Sequence, residues 1–224
     1  MIKTEEIPRL ENGDRLSRPE FERRYHAMPN HQKAELIERV VYLVASPLRF
    51  ERHAEPHASI LTWLTTYRIF TPRTRVGDTP TVRLDLDNEP QPDAVLFLDR
   101  SVGGQVQISE DDYLEGAPEL IVEVAASSVA IDLFDKKRAY QRNGVKEYLV
   151  WQIYEHVLDW FCLEQGEYRS LQPNEQGIIQ SPTFPGLWLA VPELLAGNMA
   201  QVLATLQTGL QSEEHEKFVQ KLTN

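Results

Sequence analysis

The sequence is poor in cysteine, since Cys162 is the only one among its 224 residues. A framework of intramolecular disulfides is therefore excluded. The first residues, MIKTEEIPRL, lack the basic and apolar regions of a secretory signal peptide, and no apolar run approaches membrane-spanning length. We therefore expect a reduced, cytoplasmic protein that has no membrane partner.

Several catalytic signatures are missing as well. The chain contains no Gly-rich phosphate loop, no HExxH, no Cys/His spacing for zinc and no GxSxG elbow. Cys162 lies in an apolar run, where a core residue is a simpler interpretation than a nucleophile. These absences set aside the corresponding phosphate-loop, zinc-dependent and serine-hydrolase chemistries.

Basic residues are outnumbered, and the net charge of -11 argues at first against a nucleic-acid partner. The acidity is concentrated, however, because residues 76 to 135 carry 2 basic and 14 acidic residues, whereas residues 1 to 75 carry 13 and 10. An acidic middle suits a cation site, and a solvated acidic surface explains it equally well.

The hydrophobic content of 42% is enough for one sizeable core. We expect a single domain over residues 1–198 and a C-terminal helical extension over residues 199–224. Periodicity predicts helices near residues 17–28, 56–70, 131–142 and 199–222, strands at 34–45, 81–87, 94–98, 120–124, 145–152 and 187–191, a hairpin over 156–172 and a surface loop over 99–117. The charged second half of the last helix is either solvated or meets a partner subunit, as in a homodimer.

A carboxylate inside an apolar run is the feature around which the chain is organised. Glu123 lies within the sequence LIVEV, which is typical of a strand buried on both faces. An ionised glutamate there is costly unless it is paired or bound to a cation. In the following helix, at about 100° per residue, Lys136 and Lys137 fall to either side of the apolar line through Leu133 and Tyr140. Either lysine could lean back toward the strand, and spacing does not choose between them.

A second acid, Asp93, begins the apolar strand 94–98. If this strand neighbours the strand of Glu123, the two carboxylates could converge on one divalent cation, because hard oxygen ligands suit magnesium or manganese. Asp93 could equally cap a turn after Pro92. Two further residues have simple structural interpretations: His57 fits a hydrogen-bonded core or cap histidine, and Glu38 an outward-facing strand residue.

The ordered set of motifs resembles a known family. The set comprises AELIE, His57 at the start of a helix, QPDAVLFLD, APELIVEVAASS, the D-x-x-x-K-x-x-x-Y spacing of Asp132, Lys136 and Tyr140, and NGVKEYLV. It is similar, over roughly residues 15 to 190, to the Uma-two type endonucleases, formerly a domain of unknown function within the PD-(D/E)XK nuclease-like superfamily.

The resemblance implies an α/β fold with a restriction-endonuclease-like core, in which helices flank a mixed central β-sheet, here with an added β-hairpin region and a C-terminal helix. It implies that Asp93 and Glu123 are the catalytic carboxylates and that the superfamily's lysine has moved to Lys136. Glu38 and His57 match the family's early acid and histidine.

The activity implied is metal-dependent hydrolysis of nucleic-acid phosphodiester bonds. Mg2+ or Mn2+ would be held by Asp93, Glu123 and a backbone carbonyl, that of Val124. The substrate would be nucleic acid, with DNA favoured over RNA, and arginines of the N-terminal third such as Arg52 are candidates for backbone contact or are simply solvated. The alternative is a catalytically inactive nuclease fold that serves as a binding or regulatory module.

Overall fold

The computed structural model describes residues 7–28, 33–43, 49–126 and 128–224. From the N-terminus come helix α1 (Arg18–His26), strands β1 (Ala34–Ile37) and β2 (Val40–Leu43), a π-helical turn (Phe50–Ala54) and helix α2 (Glu55–Phe70). They are followed by β3 (Thr74–Asp78), β4 (Val82–Arg83), β5 (Ala94–Leu98), a 3-10 turn (Arg100–Val102), β6 (Gln107–Ile108), β7 (Leu114–Glu115) and β8 (Leu120–Ala125).

The remainder of the chain alternates again between helices and strands. A π-helical segment (Ile131–Lys136) continues into α3 (Lys137–Arg142), and then come β9 (Glu147–Gln152), β10 (Val157–Glu164), β11 (Glu167–Ser170), β12 (Ile178–Gln180) and β13 (Trp188–Ala190). Three helices complete the chain: α4 (Val191–Leu195), α5 (Met199–Leu210) and α6 (Glu213–Thr223). No helix of the described residues is long and apolar enough to cross a membrane.

The central sheet has six strands in the order β11-β10-β9-β8-β5-β3. Strands β8 and β9 run parallel and are joined through α3, as the predicted β-helix-β unit requires, whereas the other neighbours are antiparallel. Every residue of β5 and β8 is buried, because these apolar strands lie inside the sheet and both of its faces are covered. The predicted mixed α/β fold is confirmed.

Two helical layers cover the sheet. On one face, α2 buries Ile60, Trp63, Leu64 and Tyr67, which recur at helical spacing, and α5 adds Val202 to the same core. On the other face, the Tyr140 side chain of α3 lies in a second core. Helices therefore cover both faces of the central sheet.

The segment 34–45 is not the single strand that its β-branched residues predict. It forms a hairpin, β1 with β2, whose turn residues Glu38 and Arg39 have φ of 52° and 67°. A two-residue turn with positive φ at both positions matches the twist of an antiparallel pair. The prediction that Glu38 faces outward from a strand is therefore wrong, because Glu38 lies in the turn. Residues 44 and 45 lie outside the described residues.

Strand pairing within the acidic segment, residues 76 to 135, corrects two other predictions. The strand predicted at 81–87 is reduced to β4, and the loop predicted over 99–117 contains β6 and β7. These three short strands form a separate sheet in the order β4-β7-β6. Arg83 holds it together, since its guanidinium donates two hydrogen bonds to Asp111 at 2.9 and 2.8 Å.

The single helix predicted over 199–222 is two helices. The chain turns after Leu210, and Ser212 caps α6 by accepting a hydrogen bond from the backbone N–H of His215 at 3.2 Å. Gly209 allows the turn to pack closely, because a Cβ there would lie 2.4 Å from the carbonyl oxygen of Gly186.

Candidate active site

Strand pairing places Asp93 and Glu123 side by side. In the antiparallel pair of β5 and β8, Ala94 faces Val122, so Asp93, the residue before β5, is level with Glu123. The register is reinforced by a side chain, since Asp93 Oδ2 accepts a hydrogen bond from the backbone N–H of Val124 at 2.7 Å. Both acids are buried, with 7% and 4% of their surface exposed. The strand that follows Asp93 therefore neighbours the strand of Glu123, as the sequence analysis required for the two acids to share a site.

Lys136 is the lysine that reaches Glu123. Its Nζ donates to Glu123 Oε1 at 3.0 Å, and the Tyr140 hydroxyl, one helical turn later, donates to the same oxygen at 2.9 Å. Lys137 points elsewhere, because its Nζ lies 3.4 Å from the centre of the Phe161 ring. The geometry thus distinguishes the two lysines that spacing left open.

Two more carboxylates approach Lys136. Its Nζ lies 3.1 Å from Glu35 Oε1 and 3.5 Å from Asp132 Oδ1, and both acids are buried. Glu35 also accepts a hydrogen bond from the backbone N–H of Gln91 at 2.6 Å, which fixes β1 against the start of β5. Asp93, Glu123, Glu35, Asp132, Lys136 and Tyr140 are called the carboxylate cluster below.

Two histidines, His53 and His57, lie close to Asp93. His53, on the π-helical turn, places Nε2 3.3 Å from Asp93 Oδ1. His57, one turn later, is 2.7 Å from the backbone carbonyl oxygen of Asp93 and 3.4 Å from Asp78 Oδ1. His57 thus contacts the main chain of Asp93, whereas His53 contacts the carboxylate.

Glu38 does not join the cluster. Its Oε2 accepts a hydrogen bond from Arg142 at 2.8 Å, and its backbone N–H donates to Asn88 at 2.8 Å. The early acid that lies near Lys136 is Glu35, which precedes Glu38 by three residues in the sequence. The sequence signal for Glu35 was the same as for Glu123, an acid flanked by apolar residues that turn out to be fully buried in a short strand.

Electrostatics of the cluster are dominated by excess negative charge. Burial raises the pKa of Glu123 well above its ordinary value against the pull of Lys136, and Asp132, Asp93 and Glu35 raise it further. Burial alone would lower the pKa of Lys136, but Glu123, Glu35 and Asp132 outweigh it and hold that pKa well above its usual range. Lys136 is therefore an ammonium shared among three carboxylates.

Asp93 behaves differently from Glu123. Burial raises its pKa, but the hydrogen bond and charge of His53 and the N–H of Val124 outweigh burial and lower that pKa. In return, the hydrogen bond to Asp93 raises the pKa of His53. The pKa values of the two paired acids are thus shifted in opposite directions, that of Asp93 downward and that of Glu123 upward.

The donor chemistry of the cluster fits a hard divalent cation. Both hydrogen bonds to Glu123 fall on Oε1, and Asp132 Oδ1 is buried with no hydrogen bond from the described residues. Among those residues, however, no group of three or more acids, histidines or cysteines is placed so that it could hold a metal ion. The carboxylates are instead directed at Lys136 and His53, so a cation would replace contacts that these two side chains make.

A comparison with solved structures supports the fold. A solved structure described as a putative nuclease belonging to DUF820, from Anabaena variabilis ATCC 29413, is similar to this chain with a TM-score of 0.61 and 14% sequence identity. The likeness covers 81% of this chain and 98% of that one, and at this identity it establishes the fold. None of the curated proteins matches the chain.

The sequence also matches the model of a known protein family. The model of the Uma2 family, described as "Putative restriction endonuclease", matches residues 18–192. That segment contains all six residues of the carboxylate cluster. The chain belongs to the Uma2 family of putative restriction endonucleases.

Proposed function

We propose that this protein is a metal-dependent endonuclease that hydrolyses phosphodiester bonds of nucleic acid, DNA in preference to RNA. The observation that carries the proposal is the pairing of Asp93 and Glu123, two buried carboxylates on adjacent strands, with Lys136 hydrogen-bonded to one of them. Family membership supports the nuclease class, and the chemistry of the cluster supports the dependence on a cation.

The cation site would use oxygen ligands. Asp93, Glu123 and the backbone carbonyl of Val124 would hold Mg2+ or Mn2+, which supplies a Lewis acid that activates water and offsets the charge developing on the phosphate. His53, now on Asp93 Oδ1, would have to yield its contact. The cost of that rearrangement is offset by neutralising a cluster that holds more carboxylates than cationic side chains.

The remaining residues position these groups. Lys136 presents an ammonium beside Glu123, where it can donate to a non-bridging oxygen of the scissile phosphate or to the attacking water. Tyr140 fixes the carboxylate of Glu123 through its hydroxyl. Glu35 and Asp132 flank Lys136 and keep it protonated, so that its charge is available at neutral pH.

A second candidate function is a nuclease fold without catalysis, acting as a binding or regulatory module. It is favoured by one observation, that the carboxylates of the cluster are already engaged by Lys136 and His53. The two candidates differ in whether a divalent cation enters the cluster.

The test is cleavage of supercoiled plasmid and of circular single-stranded DNA in MgCl2 or MnCl2. We expect Asp93→Asn and Glu123→Gln to abolish cleavage while circular dichroism reports a folded protein. Glu147→Gln is the control, because it makes the same change at a buried carboxylate outside the cluster, and it should retain cleavage. Undiminished cleavage by both cluster variants would reject the proposal, and a wild type that neither cleaves nor binds the cation would favour the second candidate.

A further inference from the structure

Two exposed aromatic rings and an arginine stand beside the carboxylate cluster. Phe50 is 69% exposed and Tyr154 is 48% exposed, and neither belongs to a core cluster of the described residues. Arg52, two residues after Phe50, donates a hydrogen bond from its guanidinium to the Tyr154 hydroxyl at 2.7 Å, and the guanidinium carbon lies 4.9 Å from the centre of that ring. Phe50, Arg52 and Tyr154 are called the aromatic rim.

The rim is connected to the cluster by the chain on both sides. Phe50 and Arg52 belong to the same π-helical turn as His53, and His53 contacts the Asp93 carboxylate. Tyr154 follows Ile153, whose backbone N–H donates to the carbonyl of Ala125 at 3.0 Å, two residues beyond Glu123. The Arg52 to Tyr154 contact therefore bridges two segments that each adjoin one of the paired acids.

Exposed aromatic rings are rare in this molecule. The described residues contain only two others with large exposure, Phe134 and Phe70. Phe134 lies on the outer side of the π-helical segment, because Asp132 and Lys136 two residues away on either side are buried. Phe70 ends α2, whose first turn adjoins the rim, so about 24 Å of helix separates it from that turn. Of the exposed aromatic rings, those of the rim thus lie on the two segments that adjoin Asp93 and Glu123.

We infer that the rim binds unpaired nucleobases next to the scissile phosphate, so that the preferred substrate is single-stranded or locally unpaired nucleic acid. This inference rests on the proposed function. A ring that is open on one side is a stacking platform for any base, and a guanidinium over an aromatic ring binds a phosphate while it stacks. In a duplex, bases stack on one another and their faces are not available to Phe50 or Tyr154.

The experiment measures binding by fluorescence anisotropy. A short fluorescein-labelled oligothymidine and a duplex of the same length are titrated with wild-type protein, with CaCl2 in place of MgCl2 and electrophoresis to verify that the label stays on intact DNA. We expect the single strand to bind about tenfold more tightly than the duplex, and Phe50→Ala and Tyr154→Ala each to weaken single-strand binding by about tenfold.

Control variants separate stacking from general effects. Tyr154→Phe keeps the ring and should bind like the wild type within about twofold, and Phe70→Ala removes an exposed ring remote from the cluster and should change nothing. Because Phe50 is largely exposed, its alanine variant should fold normally, which circular dichroism verifies.

The outcomes separate this inference from the proposed function. Equal losses for single strand and duplex, or unchanged binding by both alanine variants, would overturn the role of the rim while cleavage by the wild type still supports a nuclease. A wild type that binds neither DNA form would overturn the rim alone, because the nuclease proposal is judged by the separate cleavage assay of the wild type and the cluster variants.

Discussion

Lys136 and Glu123 form an ion pair of 3.0 Å in which each side chain is only 5% exposed. A pair shielded from water in this way is held by Coulomb attraction that solvent does not screen, and it carries a desolvation cost for each charge. Removing one partner leaves the other charge buried without compensation. The pair is therefore sensitive to substitution, whatever the protein does with it.

Lys136→Met should lower the free energy of unfolding by about 3 kcal/mol at neutral pH, because Glu123, Glu35 and Asp132 would then be buried with no ammonium among them. Lys137→Met is the matched control and should cost no more than about 1 kcal/mol, since the Lys137 side chain is partly exposed and lies over the ring of Phe161. Urea denaturation measures both. Equal losses for the neighbouring lysines would contradict the cluster.

MgCl2 should stabilise the folded protein, because a cation that binds only the folded state adds to its stability by mass action. The gain would be about 2.7 kcal/mol at a concentration one hundred times the dissociation constant. A thermal melt in MgCl2, compared with NaCl of equal ionic strength, measures it. Glu123→Gln should abolish the difference between the two salts, and a wild type with no such difference would contradict a divalent cation site.

Titration of the buried Glu89 should lower the free energy of unfolding as pH rises. Burial, and then the neighbouring Glu22, raises the pKa of Glu89 from 4.5 to about 8. Between those values the folded chain keeps a proton that the unfolded chain has lost, so the stabilisation is complete below about pH 4.5 and declines toward pH 8. The decline is at most about 1.4 kcal/mol per pH unit.

Glu89→Gln removes this titration, so its stability relative to wild type should increase from pH 5 to pH 8. Urea denaturation at each pH gives the comparison. A constant difference between the two proteins across this range would show that the proton on Glu89 is not coupled to folding.

Glu147 is buried like Glu123 but serves the fold. Its two oxygens accept hydrogen bonds from Ser181 Oγ at 2.6 Å, the backbone N–H of Thr183 at 2.8 Å and Trp160 Nε1 at 2.7 Å. Glu147→Ala removes the acceptor of three donors, two of them buried, and should cost about 3 kcal/mol in urea denaturation. The magnesium-dependent rise in melting temperature should persist in this variant, and its loss would place Glu147 in the cation site.

The central pair of strands could be predicted from the sequence because the pattern is local. The apolar runs after Asp93 and around Glu123 each indicate a buried strand, and a buried acid requires a partner. Lys136 was within reach by helical spacing. Its selection over Lys137 depended on a three-dimensional contact, and the motif resemblance supplied what spacing did not.

The rest of the cluster depends on tertiary contacts that the sequence does not display. Glu35 and Glu38 both lie in AELIE, and only the turn at positions 38 and 39, with its positive φ angles, decides which one remains in a strand. His53 precedes the predicted helix 56–70, on a π-helical turn that periodicity did not indicate. Asp111 lies in the segment predicted as a surface loop, and its partner Arg83 is 28 residues away in the sequence.

The last helices bear on how this protein can be divided. Residues 18–192 match the family, yet Val202 and Leu206 of α5, beyond that match, are fully buried in the main hydrophobic core against α2. A fragment trimmed to the homologous region would present bare apolar surface to water and self-associate. The homologous region is therefore shorter than the segment that completes the core, so fragments and chimeras of this chain should retain α5 and α6.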